Sequence, residues 1–333
     1  MRPARRISSS PARIDQAGLV TSEADRLTIA VSDGQVAELA ATIRQHRAAL
    51  KVEPPTVFPT LGTPRGPGET RTAWHPAAQP APEISVIIPC FAAARTLERA
   101  LLSVLSQNGP PREIILVDDL STDGTLALAL ALAARHPAVT VLVRSVNGGP
   151  AAARNDGAGV ARGRFLCFLD ADDAYAPDFF AACLAQLSAM PGLAAVQTGM
   201  QLEGLAQDID PARYALVANS LATNLMFRRQ AFELIGGFPE SPVFRGERGG
   251  EDIAVTRILV KYFARGWDAR PLLIHRVGAG SHLARYLAGS RVEGDTVVLT
   301  QRSAEEESGL LPLAMLMHED AFLRRIQPVR AGH

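Results

Sequence analysis

The stretch FLCFLDADDAY, Phe165–Tyr175, runs five apolar residues into Asp170, Asp172 and Asp173. An apolar run of this length reads as a buried strand, so the three carboxylates gather at its end. Like charges this close repel, and the repulsion raises a carboxyl pKa unless a cation or hydrogen bonds compensate. On an extended strand end, Asp170 and Asp172 would point to the same side. Two hard oxygen ligands placed this way suit Mg2+ or Mn2+, which take few protein carboxylates and complete their shell with substrate phosphates. The bland alternative is a solvated acidic turn, and the buried run before it argues against that. Asp173 reads as a cap of the turn.

Working outward, the same pattern recurs upstream. EISVIIP is an apolar strand ending at Pro89, and AARTLERALLSVLSQ carries leucine and valine at helical spacing. EIILVDD and STDGTLALALALAARH repeat the strand and helix, AVTVLVRS is a third strand, and GGPAAARNDGAGVARG reads as a helix before RFLCFLD. Strands and helices that alternate, with near-continuous apolar strands, predict an α/β fold: a Rossmann-like, mostly parallel central sheet with helices on both faces. Ligands of such sheets bind at the carboxyl ends of the strands. Asp118, Asp119, Asn147, Asp170 and Asp172 all fall at such ends. Downstream, DFFAACLAQLSAM and EDIAVTRILVKYFARG read as helices, and LAAVQTGM and ATNLMFRR as strands.

Three segments follow from these shifts in pattern. Residues 1–82 form an N-terminal extension with one amphipathic helix, Asp33–Val52, and a Pro/Gly-rich linker without regular structure. Residues 83–285 form the α/β domain, and residues 286–333 a C-terminal extension with a strand-like TVVLT and a terminal helix.

In VDDLSTDGT, Ser121 or Thr122 can cap the following helix, but two acids ahead of the cap exceed what capping needs. A carboxylate there can accept an N–H from a ligand such as a base ring. In NGGPAAARN, the glycines and proline precede a helix whose N–H groups and positive dipole end suit phosphate, with Arg154 within reach of a diphosphate. In GERGGEDIAV, Glu251 and Asp252 open a helix behind a pliable glycine loop, and an acid placed there can serve as a general base.

Bulk composition narrows the function. With 34 basic and 34 acidic side chains the formal net charge is zero, so no overall field steers the chain to nucleic acid or an anionic membrane. No apolar run is long enough to span a bilayer, which leaves peripheral membrane association open. Cys90, Cys167 and Cys183 sit in apolar runs without a paired motif, as expected of reduced, buried thiols in the cytoplasm.

Taken together, SVIIPCFAAARTLERALLSVLSQ, VDDLSTDGT, NGGPAAARN, FLDADD, GGF and GGED resemble family 2 glycosyltransferases of the GT-A fold, over about Glu83 to His282. The resemblance implies a non-processive enzyme that transfers sugar from a nucleotide sugar, a UDP-sugar foremost, to an acceptor hydroxyl with inversion by direct displacement. It implies that Pro89 and Phe91 line the base pocket, that Asp119 contacts the base, and that Arg154 lies near base and diphosphate. Asp170 and Asp172 match the metal-binding pair for Mn2+ or Mg2+, with Asp170 also a ribose contact. Asp252 matches the general base, and IHRVGAGSH brings Arg276, Ser281 and His282 toward the diphosphate. His275 reads as a structural histidine, with a third metal ligand as the alternative. The chain departs from the family pattern at Phe91-Ala92, where Tyr-Asn is frequent, and at Leu120, where Gly or Ser is usual. Two other readings stay open: a non-catalytic nucleotide-sugar-binding or partner module of the same fold, and a haloacid dehalogenase-like phosphatase, whose DxDx(T/V) signature FLDADDA imitates.

Overall fold

The apolar runs pair into one nine-stranded sheet. The structure, a computed structural model, describes residues 7–8, 70–74, 83–109, 112–205, 208–245, 249–278, 280–293, 296–300 and 310–330. Its strands are β1 (Ile7–Ser8), β2 (Thr70–Trp74), β3 (Ile84–Cys90), β4 (Arg112–Asp118), β5 (Val139–Arg144), β6 (Phe165–Phe168), β7 (Ala174–Tyr175), β8 (Ala195–Glu203), β9 (Leu225–Arg228), β10 (Arg265–Arg276), β11 (Ser290–Glu293) and β12 (Thr296–Leu299). Its α-helices are α1 (Leu97–Leu105), α2 (Thr125–Arg135), α3 (Gly149–Val160), α4 (Phe179–Ala189), α5 (Pro211–Ser220), α6 (Arg229–Ile235), α7 (Glu251–Tyr262), α8 (His282–Ala288) and α9 (Leu310–Arg330).

The order across the large sheet is β2-β5-β4-β3-β6-β9-β8-β10-β7. β5, β4, β3 and β6 pair in parallel, as do β8 and β10, while β2, β9 and β7 run the other way. The sheet is therefore mostly parallel in strand direction, as in the GT-A fold. β11 and β12 form a separate small sheet with β1.

Period-two burial sorts the strands between two cores. Ile84, Val86 and Ile88 of β3 face α1, α2 and α4 through Leu97, Leu101, Leu132 and Phe180. Ile87, with Val117 and Leu142, faces α3, α6 and α7 through Ala153, Phe232 and Ile258. Both faces of the sheet are thus covered, which explains why its central strands lack polar alternation. Helix α3 comes closest. A Cβ added at Gly157 would lie 2.5 Å from Ile87 Cγ2 and 3.1 Å from Val117 Cγ2. Only glycine permits this approach, which seats Arg154, one turn earlier, at the end of the sheet.

Several expectations need correction. The fourth apolar run stops being strand at Phe168, so Asp170 and Asp172 lie in a turn closed by Asp173 N–H donating to the Asp170 carbonyl (3.0 Å). Strand alternation therefore does not govern their directions. Thr70–Trp74, inside the stretch expected to be an irregular linker, forms an antiparallel edge strand on β5. Helix α5 fills the stretch between LAAVQTGM and ATNLMFRR, for which no element was expected. β10 escaped notice because Asp268, Arg270 and Pro271 break its apolar pattern, and its register shifts on both sides of Pro271, where no N–H is available to the ladder. The expected helix at Asp33–Val52 lies outside the described residues.

The close seat of α3 is testable. Gly157→Val should lower stability by about 1–3 kcal/mol through overpacking against Ile87 and Val117, read as a lower urea midpoint at unchanged slope.

Candidate functional site

Three large apolar side chains stand exposed at the carboxyl ends of three adjacent strands. They are Phe91 after β3 (58% exposed), Leu120 after β4 (47%) and Val146 after β5 (62%). Pro89, half-buried, ends the β3 run beside Phe91. The loop that presents Phe91 is held by the STDGT motif. Ser121 Oγ accepts from Ala92 N–H (3.3 Å), Thr125 Oγ1 from Ala93 N–H (2.8 Å) and Asp123 from Ala94 N–H (3.3 Å). Ser121 and Thr122 are not helix caps, since Gly124 takes the N-cap position of α2 without a side-chain cap. Ala92 (φ 52°) and Leu120 (φ 63°) both occupy the left-handed region. Both are among the departures from the family pattern noted above, Asn at 92 and Gly or Ser at 120, and Asn and Gly adopt this region at least cost.

Asp118 and Asp119 are both buried. Asp118 accepts from Ser121 N–H (3.2 Å) and steadies the loop. Asp119 accepts from Gly148 N–H (2.9 Å), Gly149 N–H (2.7 Å) and Arg144 Nη1 (3.2 Å). Its carboxylate therefore sits at the start of α3, where the sequence suggested a phosphate. Arg144 continues the chain of charge to Asp156, 2.9 Å away.

Arg154 is 2% exposed. Its Nη2 donates to Asp170 Oδ1 (2.6 Å), and its Nη1 to Glu251 Oε1 (3.1 Å) and Asp252 Oδ1 (3.0 Å). The guanidinium lies 5.1 Å from the centre of the Phe238 ring. Asn155 secures that phenylalanine by donating to its carbonyl (2.8 Å) and accepting from its N–H (2.9 Å). Burial works against the arginine's charge, but Asp170, Asp252 and Glu251 outweigh it and hold the group charged. Asp252 also accepts from Ala222 N–H (3.2 Å). Burial pushes Asp252 up, Arg154 pulls against the rise, and Glu251 and Asp170 add to it, so that its carboxyl reaches about 7.

The three aspartates of the opening stretch separate by environment. Asp170 is tied to Arg154. Asp173 is fully buried and takes His275 Nδ1 (2.8 Å) and Arg276 N–H (2.9 Å), which pins the end of β10 to the turn. Asp172 faces solvent. Desolvation, with Asp173 and Asp170 nearby, pushes its carboxyl up to about 6. Burial opposes charge on His275, but its bond to Asp173 and the neighbouring Asp170 and Asp172 raise it to about 9, so it is an imidazolium at neutral pH. Among the described residues, no three His, Cys, Asp or Glu side chains form a metal cage. The oxygens left over, on Asp172 and the second oxygen of Asp170, fit a hard divalent cation that takes its other ligands from phosphate and water. Such a cation would also relieve the repulsion that raises Asp172.

Arg276 ends β10 with its side chain exposed. Ser281 caps α8 by accepting from Ala284 N–H (3.2 Å). His282 stands beside the glycine loop before α7, because a Cβ at Gly249 would lie 3.4 Å from its Cε1.

Residues 85–236 match the sequence profile of Glycosyl transferase family 2. Those residues, a little under half of the chain, form a family 2 glycosyltransferase domain. Succinoglycan biosynthesis protein ExoO of Rhizobium meliloti is 40% identical over 103 residues, covering 31% of this chain and 29% of that protein. O-antigen biosynthesis protein RfbC of Myxococcus xanthus is 29% identical over 256 residues, 70% of this chain and 19% of that protein. The chain thus spans well under half the length of these curated relatives. In structure it is similar to S. aureus TarS residues 1–349 in complex with UDP-GlcNAc, with a TM-score of 0.52 at 19% identity, over 61% of this chain and 60% of that one. The likeness supports the GT-A fold of the domain.

Sequence reading missed the parts played by Asn155, Phe238 and Glu251 in fixing Arg154. The signal was present: an arginine within an alanine-rich helix start must find partners once buried, and the acids of GGED were the available ones.

Two predictions follow from this geometry. Arg154→Met should cost about 3–5 kcal/mol of stability at pH 8 by leaving buried carboxylates uncompensated. The loss should shrink toward pH 5, below the value of about 7 at which Asp252 gives up its charge, as read by denaturant titration at both pH values. Ala92→Asn and Leu120→Asn should each raise stability by about 0.5–1 kcal/mol by relieving left-handed strain, seen as a higher melting temperature.

Proposed function

We propose that the protein transfers a sugar from a nucleotide-diphosphate sugar, foremost a UDP-sugar, to an acceptor hydroxyl with inversion at the anomeric carbon. The observation that carries this reading is the carboxyl of Asp252, raised to about 7 and joined through Arg154 to Asp170 of the metal-binding pair. A general base works best when its pKa lies near the working pH. In the proposed step, the acceptor oxygen bonds to the anomeric carbon as the bond to the diphosphate oxygen breaks. Asp252 takes the acceptor proton, and the nucleoside diphosphate leaves with the electron pair.

Asp172 and Asp170 would hold Mn2+ or Mg2+, which supplies charge compensation for the leaving diphosphate. Pro89 and Phe91 offer the base a surface for stacking, Asp119 a carboxylate, and Arg276 a cation for the diphosphate. The names of the relatives favour a glycan acceptor. No helix among the described residues is long and apolar enough to cross a membrane. The three buried, unpaired cysteines suit the reducing cytoplasm, where we place the protein.

A thermal-shift panel of UDP-, GDP- and dTDP-sugars, with and without Mn2+, tests donor binding. The right donor at a hundred times its Kd should add about 2.7 kcal/mol of stability, and Asp172→Asn should lose the part that depends on Mn2+. No stabilisation by any nucleotide sugar would sink the proposal. For catalysis, Asp252→Asn should lower kcat by about 10²–10⁴-fold while retaining the donor's thermal shift. Because Asp252 must be ionised to accept a proton, wild-type kcat/KM should level off above a pH of about 7 and fall tenfold per unit below it.

A further inference from the structure

The family 2 match ends at residue 236, yet the loops that complete the site are braced from beyond it. Helix α9 packs on α6, on α7 and on the short 3-10 turn Pro242–Arg245. Near its start, Leu311 is buried with Phe244 and Ala254, and Met315 packs beside them. Both meet the backbone of Gly250, the N-cap of α7. A Cβ there would lie 3.2 Å from Met315 Cε and 3.3 Å from Leu311 Cδ1. Farther along, Arg325 donates to the carbonyl of Ile235 (2.7 Å), and a Cβ at Gly236 would overlap its Nη1. Between these points, Glu319 accepts from Lys261 and Tyr262, and Phe322 packs on Tyr262 and Phe263, at the far end of α7.

One helix thus touches both glycine turns that supply partners to Arg154: Gly236–Gly237 before Phe238, and Gly249–Gly250 before Glu251 and Asp252. All four glycines have positive φ. Such turns change conformation readily and do not hold a pose by themselves. A reacting group needs its place kept to within about 0.5 Å by packed neighbours.

We propose that α9 is a positioning strut for Asp252, with Leu311 and Met315 holding the Gly249–Gly250 turn and through it the pose of the carboxylate. The inference rests on the reading of Asp252 as the general base. It assigns the C-terminal helix to the chemistry of the site, which a cap over the acceptor or a partner-binding surface would not require.

The test compares Met315→Ala with Phe322→Leu in the full chain. Phe322 contributes to the same helix's packing but lies away from the turn. Two readouts are taken: amide exchange over Gly249–Val255, and Mn2+-dependent hydrolysis of the UDP-sugar that gives the largest thermal shift. In Met315→Ala, exchange over that segment should quicken about threefold or more. The kcat of hydrolysis should fall about tenfold or more with donor KM within about twofold. Phe322→Leu should lower the melting temperature and move neither readout. Wild-type exchange in Met315→Ala, or faster exchange at undiminished kcat, overturns the proposal. If Asp252→Asn hydrolyses the donor at the wild-type rate, it is the reading of the base that fails, and the exchange result still judges the strut.

Discussion

A buried guanidinium that faces three carboxylates is the constraint on which the site depends. Arg154 has almost no contact with water, and Asp170, Glu251 and Asp252 are the acids that keep it charged. Buried ion networks are poor sources of net stability, but removing one member is costly. That asymmetry fixes geometry. It draws the acidic turn after β6, the middle of the first turns of α3 and the start of α7 to one point. It also leaves an excess of negative charge, since three acids share one cation. The excess emerges at Asp252, whose carboxyl burial pushes up to about 7, and a carboxyl in that state is suited to accept a proton.

A second anion resolves a different demand. The start of α3 directs N–H groups and a positive dipole end toward the site. Asp119 satisfies them from within the chain through Gly148 and Gly149. Under the proposed function, positive charge for a diphosphate would instead come from Arg276 and from a cation held at Asp172. Asp173 ties His275 and Arg276 to the acidic turn, so the turn and the end of β10 are placed together.

Much of this was legible in the chain, and what was not has physical causes. Buried parallel strands are apolar without interruption, so β3 to β6 were visible, as were the acids at their ends. The exact direction of Asp170 and Asp172 did not, because the strand ends at Phe168 and a turn obeys no period of two. The commitment of Asp119 to α3 depends on the pairing of β4 with β5, a long-range fact with no local trace. β10 was hidden by Pro271 and its polar neighbours, and the packing of α9 on two glycine turns is tertiary throughout.

The two left-handed residues show how a departure from the family pattern changes recognition. Ser121, Asp123 and Thr125 hold the Phe91–Ala94 loop strongly enough for Ala92 and Leu120 to bear an unfavourable backbone. In return, Leu120 joins Phe91 and Val146 as an exposed apolar side chain at the end of the sheet. A surface of this kind attracts any base, because every base has a face to stack. The N–H groups of Ala92, Ala93 and Ala94 are already bonded, and no Asn side chain stands at position 92. Under the proposed function, discrimination among bases at this end of the sheet would fall to Asp119, whose carboxylate would have to divide its oxygens between the base and the start of α3. Base choice and the seating of the helix that carries Arg154 would thereby be linked through one carboxylate.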